Sequence, residues 1–138
     1  MIKINRKVEY SLIALKHMAS KKPGEKSTAR EIASEYQIPF DTTAKILQKL
    51  HGHKILDSEQ GVQGGYFLKK SLADISFADL DEMVEGKSSV VDCLVENKDC
   101  AQLPYCNIVT PLILLDKKIK SFLQELSLAD LLLGAKKL

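Results

Sequence analysis

Ile55-Leu56-Asp57-Ser58-Glu59, then Gln60-Gly61-Val62-Gln63-Gly64-Gly65, then Tyr66-Phe67-Leu68: this stretch reads as a strand, a turn with three glycines and a returning strand. Glycine permits positive φ and close backbone approach, which suits a tight hairpin. What precedes the hairpin decides the fold. Val8, Leu12, Leu15 and Ala19 recur at helical spacing, with Ile13 and Met18 widening the stripe, so residues 5–20 read as a first helix. Pro23-Gly24 breaks the chain. Ser27 or Thr28 then caps a second helix over residues 29–36, with Glu31 placed as in a capping box. Past Gln37-Ile38-Pro39 a third helix starts near Asp41 and runs through Ala44, Ile46, Leu47 and Leu50 to about His53.

A short helix, a tight turn and a second helix carrying exposed polar residues read as a helix-turn-helix. Two short strands directly after it make the whole a winged helix. The fold class is therefore mainly α with a small β wing. Its glycine-rich tip can approach a phosphate backbone or a minor groove without side-chain obstruction.

Downstream, Ser76 caps a fourth helix, Asp79 sits in its first turn, Leu80, Met83 and Val84 face inward, and Gly86 stops it. Thr110-Pro111 opens a long helix with Leu112, Leu115, Ile119, Phe122 and Leu123 on one side, since proline is favoured at the first helical position. Ser127 caps a last short helix through Leu131 or Leu132. So apolar a stripe, far along the chain from the winged core, reads as a dimer interface. The expected organisation is a DNA-binding winged helix-turn-helix domain over residues 1–86, a cysteine-containing loop over 87–109, and a dimerisation helix with its short terminal helix over 110–138.

Composition narrows the function. An apolar fraction of 45% and a charged fraction of 28% are ordinary for a globular protein. No run of eighteen apolar residues is present, and the basic start lacks the apolar core of a signal peptide, so a cytoplasmic protein without a membrane segment is expected. The net charge of +2 hides an asymmetry: residues 1–70 carry 13 Lys+Arg and 7 Asp+Glu, residues 71–138 carry 7 and 11. The first half is thus suited to a polyanion.

All three cysteines, Cys93, Cys100 and Cys106, fall within fourteen residues. An odd number leaves one thiol over in any simple disulfide scheme, and a cytosolic setting keeps thiols reduced. Three soft donors on one loop suit an iron–sulfur cluster, because thiolate matches iron bridged by sulfide. The spacing is long for a zinc knuckle. Zinc and a thiol redox switch stay open as alternatives. An electron-transfer role is disfavoured by the missing fourth cysteine and by an entire winged helix with no part in it. No Ser/His/Asp or Cys/His grouping suggests an enzyme, and no small-molecule substrate is expected.

These residues resemble the IscR/NsrR-type (Rrf-two) bacterial transcription regulators. Glu9-Tyr10-Ser11-Leu12-Ile13-Ala14-Leu15 resembles the family's opening helix, and Arg30-Glu31-Ile32-Ala33 with Ile38-Pro39 its helix-turn-helix. Ile46-Leu47-Gln48-Lys49-Leu50 resembles the recognition helix, and Gly61-Val62-Gln63-Gly64-Gly65-Tyr66-Phe67-Leu68 the wing signature, which is the most specific piece. Leu126-Ser127-Leu128-Ala129-Asp130-Leu131 resembles the closing motif, and Cys93-Leu94 begins a three-cysteine loop like that of the cluster-binding members. The resemblance implies a homodimer on a roughly palindromic double-stranded operator. It also implies one iron–sulfur cluster per cysteine loop, four-iron in preference to two-iron, whose state sets DNA affinity. A cluster-free regulator that uses its thiols as a redox switch is the alternative.

The resemblance also implies a fourth ligand. Where one subgroup has a histidine three residues after the third cysteine, this chain has Val109; the acidic ligand of another subgroup matches Glu9, supplied by the other subunit. Asp92, Glu96 and Asp99 are its rivals. The wing position where an arginine is common holds Gln60, and Ala44 stands where a subgroup has an acidic base reader, so sequence preference does not transfer. The expected DNA contacts are Thr28 and Arg30 at the start of the second helix, and Thr42, Thr43, Lys45, Gln48 and Lys49 on the third. Gln60, Gly61, Gln63 and Gly64 extend them onto the wing. Thr42 and Thr43 are the expected base readers, Lys45 and Lys49 the phosphate partners.

Overall fold

The computed structural model describes residues 3–94 and 100–134. Helix α1 spans Arg6–Ala19; Asn5 caps it, its side chain accepting from the Lys7 amide at 2.8 Å. Helix α2 (Ala29–Tyr36) is capped by Thr28 and closed by Gln37 in the left-handed region at φ 54°. Helix α3 (Phe40–Gly52) follows Pro39. Strands β1 (Leu56–Glu59) and β2 (Gly65–Leu68) pair antiparallel, Leu56 opposite Leu68 and Glu59 opposite Gly65. The fold is the expected one, mainly helical with a two-stranded wing.

Two β-bridges tie the pieces together. Ser27 and Tyr66 exchange both backbone hydrogen bonds at 2.8 Å, fixing the wing to the residue just ahead of the α2 cap. Helix α4 (Phe77–Glu85) starts on a full capping box, in which Ser76 and Asp79 satisfy each other's amides. Beside it, Phe77 donates to the Leu126 carbonyl and Leu128 to that of Ile75, both at 2.8 Å. The end of long helix α5 (Val109–Glu125) and the start of α6 (Leu128–Leu132) are thereby returned to the winged unit.

The core follows from the periodicity. Val8 and Leu15 of α1, Ile32 of α2, Leu47 and Leu50 of α3, Leu80 of α4 and Leu128 of α6 are fully buried in one cluster. Each such side chain contributes on the order of 1.5–3 kcal/mol on burial. Leu128 shares this core, so the last helix is part of the winged unit's packing.

Helix α5 departs from expectation. Its apolar residues divide between two faces. Leu112, Ile119 and Leu123 are half-buried against the rest of the chain, while Leu115 and Phe122 are 47% and 66% exposed, with Leu114 beside them at 56%. The inward stripe repeats at three and four residues, and its remaining position is the buried Asp116. Short 3-10 turns at Leu72–Asp74, Asp92–Leu94 and Leu103–Tyr105 were not expected, since three residues carry no periodicity to read.

Candidate nucleic-acid interface and cysteine loop

The α2–turn–α3 unit is held by local chemistry. The Thr28 hydroxyl accepts from the Glu31 amide at 3.0 Å, and the Arg30 guanidinium lies 5.3 Å above the Phe40 ring, stapling the helix pair across its turn. On α3, Lys45 and Gln48 are exposed and share a face with the acidic Asp41; Thr42 is half-buried. One expected contact is placed otherwise, and a second, the exposed Lys49, has its ammonium engaged within the chain. Thr43 is 1% exposed and its hydroxyl donates to the Pro39 carbonyl at 2.7 Å, so it has no surface to offer a base. A β-branched hydroxyl in a helix commonly bonds back four residues in this way. Lys49 donates to the Val84 carbonyl at 2.9 Å, capping the end of α4.

The wing meets α2. Thr28, Ser58, Gln60, Gly61, Gly64 and Tyr66 line a shared cleft of about 290 Å³, so the helix cap and wing glycines expected to touch DNA come together. Gly61 has φ +111°, and a Cβ on Gly64 would stand 2.3 Å from the Glu59 carbonyl oxygen. The turn is closed by the Gly64 amide donating to Gly61 at 3.0 Å. Gln63 is exposed, and Val62 at the tip is fully exposed, an apolar side chain that reading for charge and glycine passed over. Lys26 pairs with Glu59 at 2.9 Å at the wing's base, and residues 60–65 carry no ionisable side chain.

The three cysteines are free and half-buried. Cys93 lies in the turn Asp92–Leu94; the Leu103 amide donates to the Cys100 carbonyl at 3.1 Å, and the Cys106 amide to that of Leu103 at 3.3 Å. Thiolate chemistry fits iron, but among the described residues no three His, Cys, Asp or Glu side chains come close enough to hold a metal ion. Glu9 lies on α1, partly exposed and paired with Arg6 at 3.1 Å. Glu96 and Asp99 lie outside the described residues, and so does the side chain of Asp92.

A residue the sequence reading missed sits at the loop's base. Asp116 of α5 is 8% exposed; its Oδ1 accepts from the Ser89 hydroxyl at 2.9 Å and the Val90 amide at 3.0 Å, while Lys120 pairs with Oδ2 at 2.8 Å. Burial pushes the carboxyl's pKa up, but Lys120, the Val90 amide and Ser89 together hold it below the ordinary carboxylate range. An acid within an apolar helical stripe was the signal available in the sequence.

Comparison with known proteins adds the decisive observation: residues 4–133 match the model of the family described as "Iron-dependent Transcriptional regulator", Rrf2. The chain belongs to the Rrf2 family. As a member it is a DNA-binding transcription regulator and not an enzyme. Among curated Rrf2-type relatives, NsrR of Bacillus subtilis is 28% identical over 108 residues, covering 78% of this chain and 74% of the relative. NsrR of Shouchella clausii is 24% identical over 72% of this chain and 68% of its own. The structure of CymR, named the global cysteine regulator of B. subtilis, matches at 23% identity and a TM-score of 0.72, covering 99% and 100% of the two chains. IscR of T. potens matches at 22% and 0.70, covering 98% and 89%. These structural likenesses speak for the fold. Among the described residues no helix is long and apolar enough to cross a membrane.

Proposed function

We propose that the chain is a homodimeric, cytoplasmic regulator that binds a double-stranded operator and senses redox, nitric oxide or iron status through an iron–sulfur cluster on its cysteine loop. The observation that carries this reading is the set of three free, half-buried thiols within fourteen residues on the segment joining the winged unit to α5. The family description as iron-dependent supports it. Cys93, Cys100 and Cys106 would hold the cluster, four-iron in preference to two-iron, with Glu9 of the second subunit as fourth ligand. When bound, the group supplies iron that reacts with oxidants and small gaseous ligands.

The division of labour follows the chain: residues 1–86 meet DNA, 87–109 sense, and the long helix of 110–138 dimerises, while the short terminal helix packs on the winged unit through Leu128. DNA contacts fall to the α2 start (Thr28, Arg30), the exposed part of α3 (Thr42, Lys45, Gln48) and the wing (Gln60, Gly61, Gln63, Gly64). The exposed Leu114, Leu115 and Phe122 on α5 support a second copy of this helix as partner.

The test is isolation without oxygen, with visible absorbance and iron and sulfide content. About four irons and four sulfides per chain support the cubane. About two of each point to a two-iron centre, and none after reconstitution overturns the cluster reading. The thiol-switch reading then predicts that oxidant alone changes operator affinity.

A further inference from the structure

The segment that carries the three cysteines leaves α4 at Gly86 and rejoins the fold at Val109, the first residue of α5. Its far end is therefore attached to α5 covalently. Its near end is attached to the same helix by another means, because the Ser89 hydroxyl and Val90 amide both donate to Asp116. Asp116 lies seven residues into α5, about 10 Å along its axis at ~1.5 Å per residue. Cys93 is three residues beyond Val90, so at most ~11 Å of extended chain separates the anchor from that thiol. Between Val90 and Val109 the chain is thus a closed loop, with both ends pinned to the first turns of one helix.

We propose that Asp116 is the positioning residue of the cysteine loop: its carboxylate closes the loop's base onto α5 and thereby confines Cys93. Lys120, one turn further on, pairs with the other carboxylate oxygen at 2.8 Å and keeps the acid ionised and oriented. The turn from Val91 to Leu94, closed by the Leu94 amide donating to the Val91 carbonyl at 3.2 Å, carries that restraint to Cys93. Closing a loop of this length lowers its conformational entropy before any ligand is bound. The carboxylate also makes the loop's state and the seating of α5 one mechanical unit, so a change at the thiols is delivered to the helix proposed to form the dimer. This assignment rests on the reading of residues 87–109 as the sensing segment.

The experiment is iodoacetamide alkylation of the reduced, cluster-free full-length protein under nitrogen, with each cysteine followed by peptide mass spectrometry. Its outcome does not depend on whether a cluster is ever found. In Asp116→Ala, Cys93 should react about tenfold faster, the scale expected when charge-assisted hydrogen bonds holding a segment are lost. Cys106, joined to α5 by the chain itself, should stay within about twofold of its original rate and serves as the internal reference. Asp116→Asn, which keeps an acceptor but loses the pairing with Lys120, should fall between. Should Asp116→Ala fail to fold, Ser89→Ala removes one of the two loop contacts and should accelerate Cys93 about threefold, in line with a single neutral hydrogen bond. An unchanged Cys93 rate in the folded variants overturns the proposal. Equal acceleration of Cys93 and Cys106 overturns it too, because α5 would then have come loose as a whole.

Discussion

The Nδ1 atom of His17 and the hydroxyl of Tyr36 lie 2.7 Å apart, with the two rings edge-on at 5.4 Å between centroids. His17 is 5% exposed on α1 and Tyr36 ends α2, so this contact joins the first helix to the helix-turn-helix. Nε2 of the same ring faces a carboxylate oxygen of Glu31 at 3.6 Å. Glu35 stands 3.6 Å from Nδ1, and Lys21 pairs with Glu31 at 2.9 Å.

Removing the hydroxyl isolates this bond. Tyr36→Phe should lower unfolding stability by about 1–2 kcal/mol, because a buried ring nitrogen loses its hydrogen-bond partner while the ring packing is kept. Urea unfolding is the measurement, with an unchanged m-value expected. A midpoint equal to that of the parent would mean the bond contributes nothing to docking α1 on α2.

Gly64→Ala should damage the wing and spare the core. The new Cβ would meet backbone, the Glu59 carbonyl oxygen at 2.3 Å and that of Gly61 at 2.9 Å, so the turn has to open. Operator affinity should fall about tenfold, or ~1.4 kcal/mol, with helix content unchanged by circular dichroism. Wild-type affinity in this variant would remove the wing from the binding surface.

Gln60→Arg tests the wing by addition. A cation at this position, beside an otherwise uncharged tip, should tighten operator binding and steepen the salt dependence by about 0.9 in the slope of log K against log salt, one further phosphate contact's worth. Fluorescence anisotropy titrations from low to moderate salt read this directly. A slope identical to wild type places residue 60 away from the phosphates.

Acid should destabilise the fold through three carboxylates. Burial pushes the pKa of Glu31 up, but Lys21 more than offsets this and holds it below the ordinary value of 4.5. Asp79 and Asp116 are likewise pushed up by burial; the Ser76 amide and Gln124 at the former, and Lys120 with the Val90 amide at the latter, bring both below 3.8. A carboxyl depressed in the folded state stabilises it fully above the unfolded value. That contribution is lost as pH falls through the folded value. Stability should therefore hold above about pH 5 and decline steadily below about pH 4.5. In Asp116→Asn the difference from wild type should shrink as pH drops below about 4, measured as urea midpoints across the range. A difference constant with pH would mean that the ionised carboxylate is not what Asp116 contributes.

Much of this molecule is legible in the chain because its signals are local. The stripe Val8, Leu15 and Met18, the Thr28 and Ser76 caps, and the glycines around Val62 each act within a few residues, and periodicity and turn chemistry report such interactions directly. The three cysteines announce soft-ligand or redox chemistry by their residue type alone. What the tertiary structure decided depends on contacts distant in sequence. Lys49 could be placed on α4 only once Val84 lay beside it, whereas the inner position of Thr43 follows from its spacing to Ile46, Leu47 and Leu50. The apolar residues of α5 divide into an inner and an outer stripe because one face packs on α4, a fact no helical wheel contains. Asp116 interrupts an apolar stripe in the sequence, but its partners Ser89 and Val90, some 26 residues earlier, are given only by the fold. By itself, then, the sequence determined the elements, their caps and the donor chemistry, all set by neighbouring residues. Folding decided which polar side chains face outward and which are held inside, because burial is a property of the packed chain.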